Sequence, residues 1–351
     1  MEKEISTFNN LSKEEIVHYL ATDKKSEINK LFKKADETRK KFVGDVVHIR
    51  GIIEASNICK KDCLYCGIRK SNKKVKRYKL TTEQIFRAIK KAVSLGYKSV
   101  VIQTGEAKIY SIKEMCNLIK RIKNSFDIAI TLSLGELSKA EYQAFWDSGA
   151  DRYLLRFETS DEELFRKLKP DGNYKNRMQS LKWLKEIGYQ VGSGIMIGLP
   201  TQSLKSVAED ILLFATYDLD MVGCGPFIAN GETPLGGKNS GSLLATLKLI
   251  ALTRIITQNA HIPATTALGT IDPQGRQLGL KCGANVIMPN CTPTVYRKNY
   301  LLYPNKICIS EKPSDCVTCI KYMVESQGRF IGTNRGDSLK RGYLKQNREF
   351  L

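Results

Sequence analysis

From about Val46 onward the chain alternates between short β-rich apolar runs and longer stretches of helical period, and it does so eight times. The β-rich runs are Val47 to Glu54, Ser99 to Gln103, Asp127 to Leu132, Asp151 to Phe157, Gln190 to Ile197, Leu219 to Cys224, Ile262 to Thr266 and Ala284 to Met288. Helical patterns open near Thr82, Ser111, Ser138, Asn173, Ser203, Ser242 and Pro273. Several start on a capping pair (Thr81 with Gln84, Ser111 with Glu114, Ser138 with Glu141), and several close on a glycine (Gly96, Gly149, Gly188). Strands alternating with helical crossovers predict a parallel α/β fold, and eight such units predict a complete (β/α)8 TIM-type barrel rather than a doubly wound sheet. Ahead of it, Ser12 with Glu15 forms a capping box before Ile16, Val17, Tyr19 and Leu20, and a second amphipathic run covers Glu27 to Phe42. The expected division is a helical cap over 1–45, the barrel over 46–300 and an extension over 301–351. That extension ends in a basic tail from Arg329 to Leu351, whose weak apolar periodicity predicts partial disorder.

Barrel enzymes carry their chemistry at the C-terminal ends of the strands, so the residues there come next. The first strand runs into Cys59-Lys60-Lys61-Asp62-Cys63-Leu64-Tyr65-Cys66. Three thiols at this spacing can ligate three irons of a cubane 4Fe-4S cluster from one loop, leaving the fourth iron open. A zinc knuckle or a closed structural cluster would need a fourth nearby Cys or His, and the next cysteine is Cys116. Around the same rim fall Gln103-Thr104-Gly105-Glu106, Ser133, Glu158, Gly198-Leu199-Pro200, Gly225-Pro226-Phe227, Thr265-Thr266 and Met288-Pro289-Asn290.

Composition adds the compartment and the partners. Hydrophobic residues make up 42% and charged residues 26%, ordinary for a globular chain. No apolar run is long enough to span a membrane and the N-terminus does not read as a signal peptide, so a cytoplasmic protein is expected. In that compartment ten cysteines speak for metal rather than disulfides. The net charge of +20 suits an acidic partner, nucleic acid or an anionic substrate, or equally a highly soluble Lys-rich protein with no such face. The basic run from Arg69 to Arg77 reads as a solvated face or a docking patch for an acidic electron donor such as flavodoxin or ferredoxin; without interleaved aromatics or an appended module, nucleic acid is not the expected partner. Cys116, Cys224, Cys282 and Cys291 read as small buried hydrophobes, and His18, His48 and His261 have no metal-ligand spacing.

The cysteine loop with its aromatic Tyr65 resembles that of radical S-adenosylmethionine (SAM) enzymes, where the open iron chelates SAM. The runs Thr131 to Glu136, Asp151 to Arg156, Pro263 to Ala267 and Cys282 to Asn290, with the Cys308, Cys316, Cys319 trio, narrow the resemblance to the biotin synthase-like branch and within it to the HydE family of FeFe-hydrogenase maturases. The resemblance implies reductive cleavage of SAM to a 5'-deoxyadenosyl radical acting on a sulfur-containing, cysteine-bound iron species, with the other hydrogenase maturases as partners. It places Tyr65, Gln103, Thr104, Glu106, Ser133, Glu158 and Arg177 against SAM, Arg177 on its carboxylate. It places Arg156, Thr265, Thr266, Met288 and Tyr303 around the substrate, with Arg156 and the two threonines suited to an anion. Cys308, Cys316 and Cys319 would hold a second iron-sulfur cluster. Two positions depart from the family pattern near the expected site: Ala107 stands for the usual acid and Phe157 for the usual His. The rival readings are an amino-acid mutase like methylornithine synthase PylB, which has no need of the cysteine trio, and a non-catalytic iron-sulfur carrier, which would not turn SAM over.

Overall fold

A computed structural model describes residues 11–340; residues 341–351 of the expected tail lie outside them. Helix α1 (Lys13–Ala21) opens on the expected capping box, with Ser12 Oγ accepting from Glu15 N and Glu15 accepting in return from Ser12 N. Helix α2 (Lys25–Val43) buries Ile28, Leu31, Ala35 and Val43 and stops at Gly44, where φ is +76°.

The first expected strand is broken at Arg50 into β1 (Val46–Ile49) and β2 (Gly51–Ser56). β2 starts a six-stranded parallel sheet that runs in chain order through β3 (Ser99–Thr104), β4 (Ala129–Ser133), β5 (Arg152–Leu154), β6 (Gln190–Ile197) and β7 (Met221–Pro226). Its register aligns Val101 with Ile52 and Thr131, and Tyr153 with Leu132 and Val191. The crossovers are α3 (Thr82–Ser94), α4 (Ile112–Ser125), α5 (Lys139–Asp147), the unexpected short α6 (Glu162–Leu168) followed by α7 (Tyr174–Ile187), and α8 (Leu204–Thr216). The capping boxes at Thr81, Ser111 and Ser138 all form, and Gly96, Gly149 and Gly188 all take positive φ. α9 (Leu243–Thr257) follows β7 and packs against α2, so the N-terminal pair covers the outside of the layered fold.

Beyond β7 the regular ladder gives way to single bridges, Met221 with His261 and Pro263 with Val286. The expected seventh strand is therefore short. Pro263 has no N–H to donate, and Thr265 already serves as the N-cap of α10 (Thr266–Ile271). After α11 (Gly275–Lys281), β8 (Val286–Ile287) pairs with β1, and Asn290 bridges to Ile52. The fold is α/β with parallel sheets, as expected.

The extension holds α12 (Thr294–Arg297), α13 (Pro313–Glu325) and β9 (Phe330–Ile331), which pairs with β1. Residues 329–340, expected to be partly disordered, are instead built across the N-terminal ends of the strands. Arg152, wholly buried on β5, donates to Ser99 Oγ, Gln190 Oε1, the carbonyls of Arg335 and Gly336, and the Asp337 carboxylate at 2.7 Å. Ser338 Oγ donates to Asp220, Arg50 to the Gly336 carbonyl and His261 to the Asp337 carbonyl. The segment is held by polar groups rather than by apolar burial, so hydrophobic periodicity could not reveal it. Among the described residues no helix is long and apolar enough to cross a membrane.

Candidate active site

The Cys59 to Cys66 loop leaves β2 and is tied down from three sides. Lys60 N donates to the Glu106 carbonyl (3.0 Å), Leu64 N to the Leu168 carbonyl (2.8 Å) and Gly67 N to the Leu302 carbonyl (2.8 Å). Its far end is gathered by Arg77, whose guanidinium donates to the carbonyls of Asn57, Ile68, Arg69 and Asn72. Gly105 lets the loop approach the rim: a Cβ there would stand 2.4 Å from the Ile58 carbonyl oxygen and 2.8 Å from Cys59 Cβ. Tyr65 packs on a small apolar cluster of Leu164, Leu168, Leu199 and Phe227, which gives α6 and the Gly198-Leu199-Pro200 turn a role in seating the loop.

Cys59, Cys63 and Cys66 are free thiols facing one cavity. Burial pushes all three up, and repulsion from the neighbouring thiols adds to it at Cys63 and Cys66. Among the described residues no three His, Cys, Asp or Glu groups converge at the spacing of a single metal ion. A cubane asks for something wider, since each thiolate takes a separate iron. Three unpaired soft donors on one loop facing one cavity fit such a cluster.

The cavity and the open solvent at its mouth together make up about 1990 Å³ of empty space. It is lined by the three cysteines and by every residue expected against SAM or substrate: Tyr65, Gln103, Thr104, Glu106, Ser133, Glu158 and Arg177, then Arg156, Thr265, Thr266, Met288 and Tyr303. Near the cysteines, Arg177 on α7 lies between two carboxylates, 2.7 Å from Glu106 and 2.6 Å from Glu136. Burial alone would raise the Glu106 carboxyl, but Arg177 and then Lys169 outweigh it and hold it at about 2. Its Oε2 is buried without a hydrogen-bond partner. Burial opposes the charge on Arg177, yet Glu106 and Glu136 raise its pKa overall.

Glu158 adopts the left-handed region at φ +68° and pairs with Arg156 at 3.1 Å. Ser160 N, two residues on, donates to Asp210 of α8, a tie that fixes this turn. Thr265 Oγ1 accepts from Leu268 N as the α10 cap, which leaves its O–H free to donate into the cavity. Gln103 Nε2 donates to Tyr300 OH at 3.0 Å. Glu136, Lys169, Asp210 and the buried Glu54–Lys306 pair were not singled out as site residues from the sequence, and Arg77, expected in a basic surface run, is instead turned onto the loop. Lone charged residues read as solvated faces, and only the fold turns these inward.

The remaining expectations separate. Cys308, Cys316 and Cys319 line an adjoining pocket with Arg276, which shares Met288 and Lys306 with the main cavity; Cys316 is buried on α13 and Cys319 is exposed. The two departures lie off the main cavity. Phe157 is fully buried against Phe214, and Ala107 lines a separate small pocket near Tyr110. Cys224, Cys282 and Cys291 are buried in the core as expected, and Cys116 is half-buried beside it.

The radical SAM superfamily profile matches residues 53–214. The chain is 50% identical over 306 residues to the [FeFe] hydrogenase maturase subunit HydE of Thermotoga maritima, covering 87% of this chain and 88% of that protein. It is 30% identical over 279 residues to a 3-methylornithine synthase of Methanosarcina acetivorans, covering 79% of each. The crystal structure of methylornithine synthase (PylB) superposes with a TM-score of 0.81 at 24% identity, over 93% of this chain and 97% of that one, a likeness of fold. The rim cysteines, the cavity they face and these likenesses lead to one conclusion: the chain belongs to the HydE family of [FeFe] hydrogenase maturases, within the radical SAM enzymes, whose cofactors are a 4Fe-4S cluster and SAM.

Proposed function

We propose that the chain is a hydrogenase maturase that acts on a sulfur-containing, cysteine-bound iron precursor of the FeFe active site. When bound, the cluster and SAM supply one-electron cleavage of a sulfonium carbon–sulfur bond, giving methionine and a 5'-deoxyadenosyl radical. What the chain itself supplies is position and exclusion. Cys59, Cys63 and Cys66 would carry the cluster. Gln103, Thr104 and Glu106 would meet the methionine end of SAM, with Arg177 holding Glu106 in place, and Ser133, Glu158 and Tyr65 would bound the rest. Deeper in the cavity, Arg156 with the Thr265 and Thr266 hydroxyls would take an anionic part of the substrate beside Met288 and Tyr303. The observation that carries this reading is the single cavity joining the cysteine loop to that cationic, hydroxyl-lined interior.

The same reading takes the bridges after β7 as the closure of an eight-stranded barrel over 46–300, with a cap over 1–45 and an extension over 301–351. Cys308, Cys316 and Cys319 would bind a second iron-sulfur cluster. Exposed Lys60, Lys70, Lys73 and Lys76 around the loop suit docking of an acidic flavodoxin or ferredoxin in the cytoplasm. The rival amino-acid mutase is disfavoured by the cysteine trio, for which it has no use.

The deciding experiment is anaerobic maturation of apo FeFe-hydrogenase with this protein in place of the resident HydE. SAM-dependent hydrogen evolution is expected. SAM cleavage without maturation would move the substrate to an amino acid or thioether. Cys63→Ala should lose SAM cleavage while keeping the fold.

A further inference from the structure

We propose that Asp210 is a positioning residue: from α8, outside the cavity, its carboxyl group holds the turn that presents Glu158 to SAM. The proposal rests on reading Glu158 as a SAM contact.

Asp210 breaks the pattern of its own helix. Val207, Ile211 and Phe214 bury apolar side chains on α8, and Asp210 is just as buried, with 0% of its surface exposed. A carboxyl group in such a place is destabilising unless a donor meets it. Its Oδ1 accepts from Ser160 N, while its Oδ2 has no hydrogen-bond partner among the described residues. Packing alone would favour an aliphatic side chain here. What the carboxyl group adds is a hold on the backbone of one turn.

That turn is strained. Glu158 holds φ at +68°, a left-handed conformation that a residue with a side chain keeps only where its surroundings over-determine it. On one side, Glu158 N donates to the Gly194 carbonyl of β6 at 3.0 Å. On the other, Asp161 caps α6 by accepting from Leu164 N at 3.0 Å. Between these anchors Thr159 is wholly buried and Ser160 N is tied to Asp210. Without that acceptor the Ser160 N–H regains a partner only by turning toward water. The turn then loses the tie that keeps its strained residue, and Glu158 relaxes toward negative φ, drawing its carboxylate away from the cavity wall. Asp210 thus acts on the cofactor through Glu158.

The test reads the KM for SAM, with 5'-deoxyadenosine measured anaerobically on cluster-loaded protein reduced by dithionite. Asp210→Leu, close in shape but without an acceptor, should raise that KM about tenfold and leave the rate at saturating SAM unchanged. Asp210→Asn keeps the acceptor and should restore the wild-type KM. In a Glu158→Ala background, which raises the KM by itself, Asp210→Leu should raise it no further, because both changes remove the same contact. Iron content and thermal midpoint identify folded, loaded variants, and Asp210→Ala takes the place of Asp210→Leu if the latter does not load. Three results overturn the proposal: an unchanged KM in the acceptor-free variant, an additive loss in the double variant, or a loaded Asp210→Asn with the raised KM of Asp210→Leu. An unchanged KM in Glu158→Ala overturns the reading of Glu158 as a SAM contact, a failure seen without any change at Asp210.

Discussion

Arg177 Nη2 and Glu106 Oε1 meet at 2.7 Å beneath the cluster loop, and Glu136 takes the other edge of the same guanidinium. Removing the arginine would leave two partly buried carboxylates facing each other across its place. Arg177→Met should therefore lower folding stability by about 3–5 kcal/mol, and Glu136→Gln by much less, because Glu106 would remain paired. Urea midpoints of the cluster-free proteins measure this; an unchanged midpoint in Arg177→Met would mean the pairing carries no weight.

Gly105→Ala tests the fit of the loop to the rim. The added methyl would stand 2.4 Å from a backbone oxygen, and neither the Ile58 carbonyl nor Cys59 Cβ is the end of a flexible chain that could swing away. Iron incorporation should fall sharply, with stability reduced by about 1–3 kcal/mol. Wild-type iron content in this variant would show that the loop tolerates displacement.

The cationic surface around the loop gives a kinetic prediction. Changing Lys70, Lys73 and Lys76 to Glu should slow SAM cleavage driven by flavodoxin or ferredoxin roughly tenfold at low salt. The loss should shrink as salt screens the surface, while cleavage driven by dithionite stays at the wild-type rate. An equal loss with both reductants would place the damage in the site rather than at the docking face.

Asp210 predicts a pH dependence of stability. Burial raises its carboxyl from 3.8 to about 7, although Ser160 N donates to it. The folded state then holds a proton that the unfolded chain releases near pH 4, so this contribution is fully present below that pH and is lost as pH rises toward 7. Glu106 works in the opposite sense over a lower window, contributing above about pH 4.5 and losing that contribution as pH falls toward 2. The difference in urea midpoint between Asp210→Asn and wild type should therefore grow in favour of the variant from pH 5 to pH 8, reaching on the order of 2–4 kcal/mol in stability. A pH-independent difference would rule the buried proton out.

Deleting residues 332–351 should cost more than a polar tail suggests. Arg152 would lose the Arg335 and Gly336 carbonyls together with the Asp337 carboxylate, and Arg50 its Gly336 acceptor. A fall of several kcal/mol is expected, since removing one partner strands a buried charge. Asp337→Asn should show a smaller part of it by calorimetry.

Much of this was legible in the chain. Alternating periods gave the parallel α/β order because each strand and helix buries a face of its own. The loop from Cys59 to Cys66 was legible because three thiols at such spacing have few other uses. Lys169, Glu136 and Asp210 were not: as a lone charge along the chain each looks solvated, and only the tertiary path of α6, the loop after β4 and α8 points them inward. Phe157 misled for a related reason. It ends the expected strand beside Arg156 and Glu158, but its side chain turns outward onto Phe214. The strand at Ile262 to Thr266 was drawn too long because β-branched residues there also suit a helix cap.

The strap from Arg335 to Ser338 lies across the N-terminal ends of the strands, held there by Arg50, Arg152 and Asp220. The cysteine loop leaves the opposite end of β2. The two ends of the strands are thus served by separate stretches of chain: one presents the thiols, the other acts as a stopper, and either can be altered without touching a residue of the other.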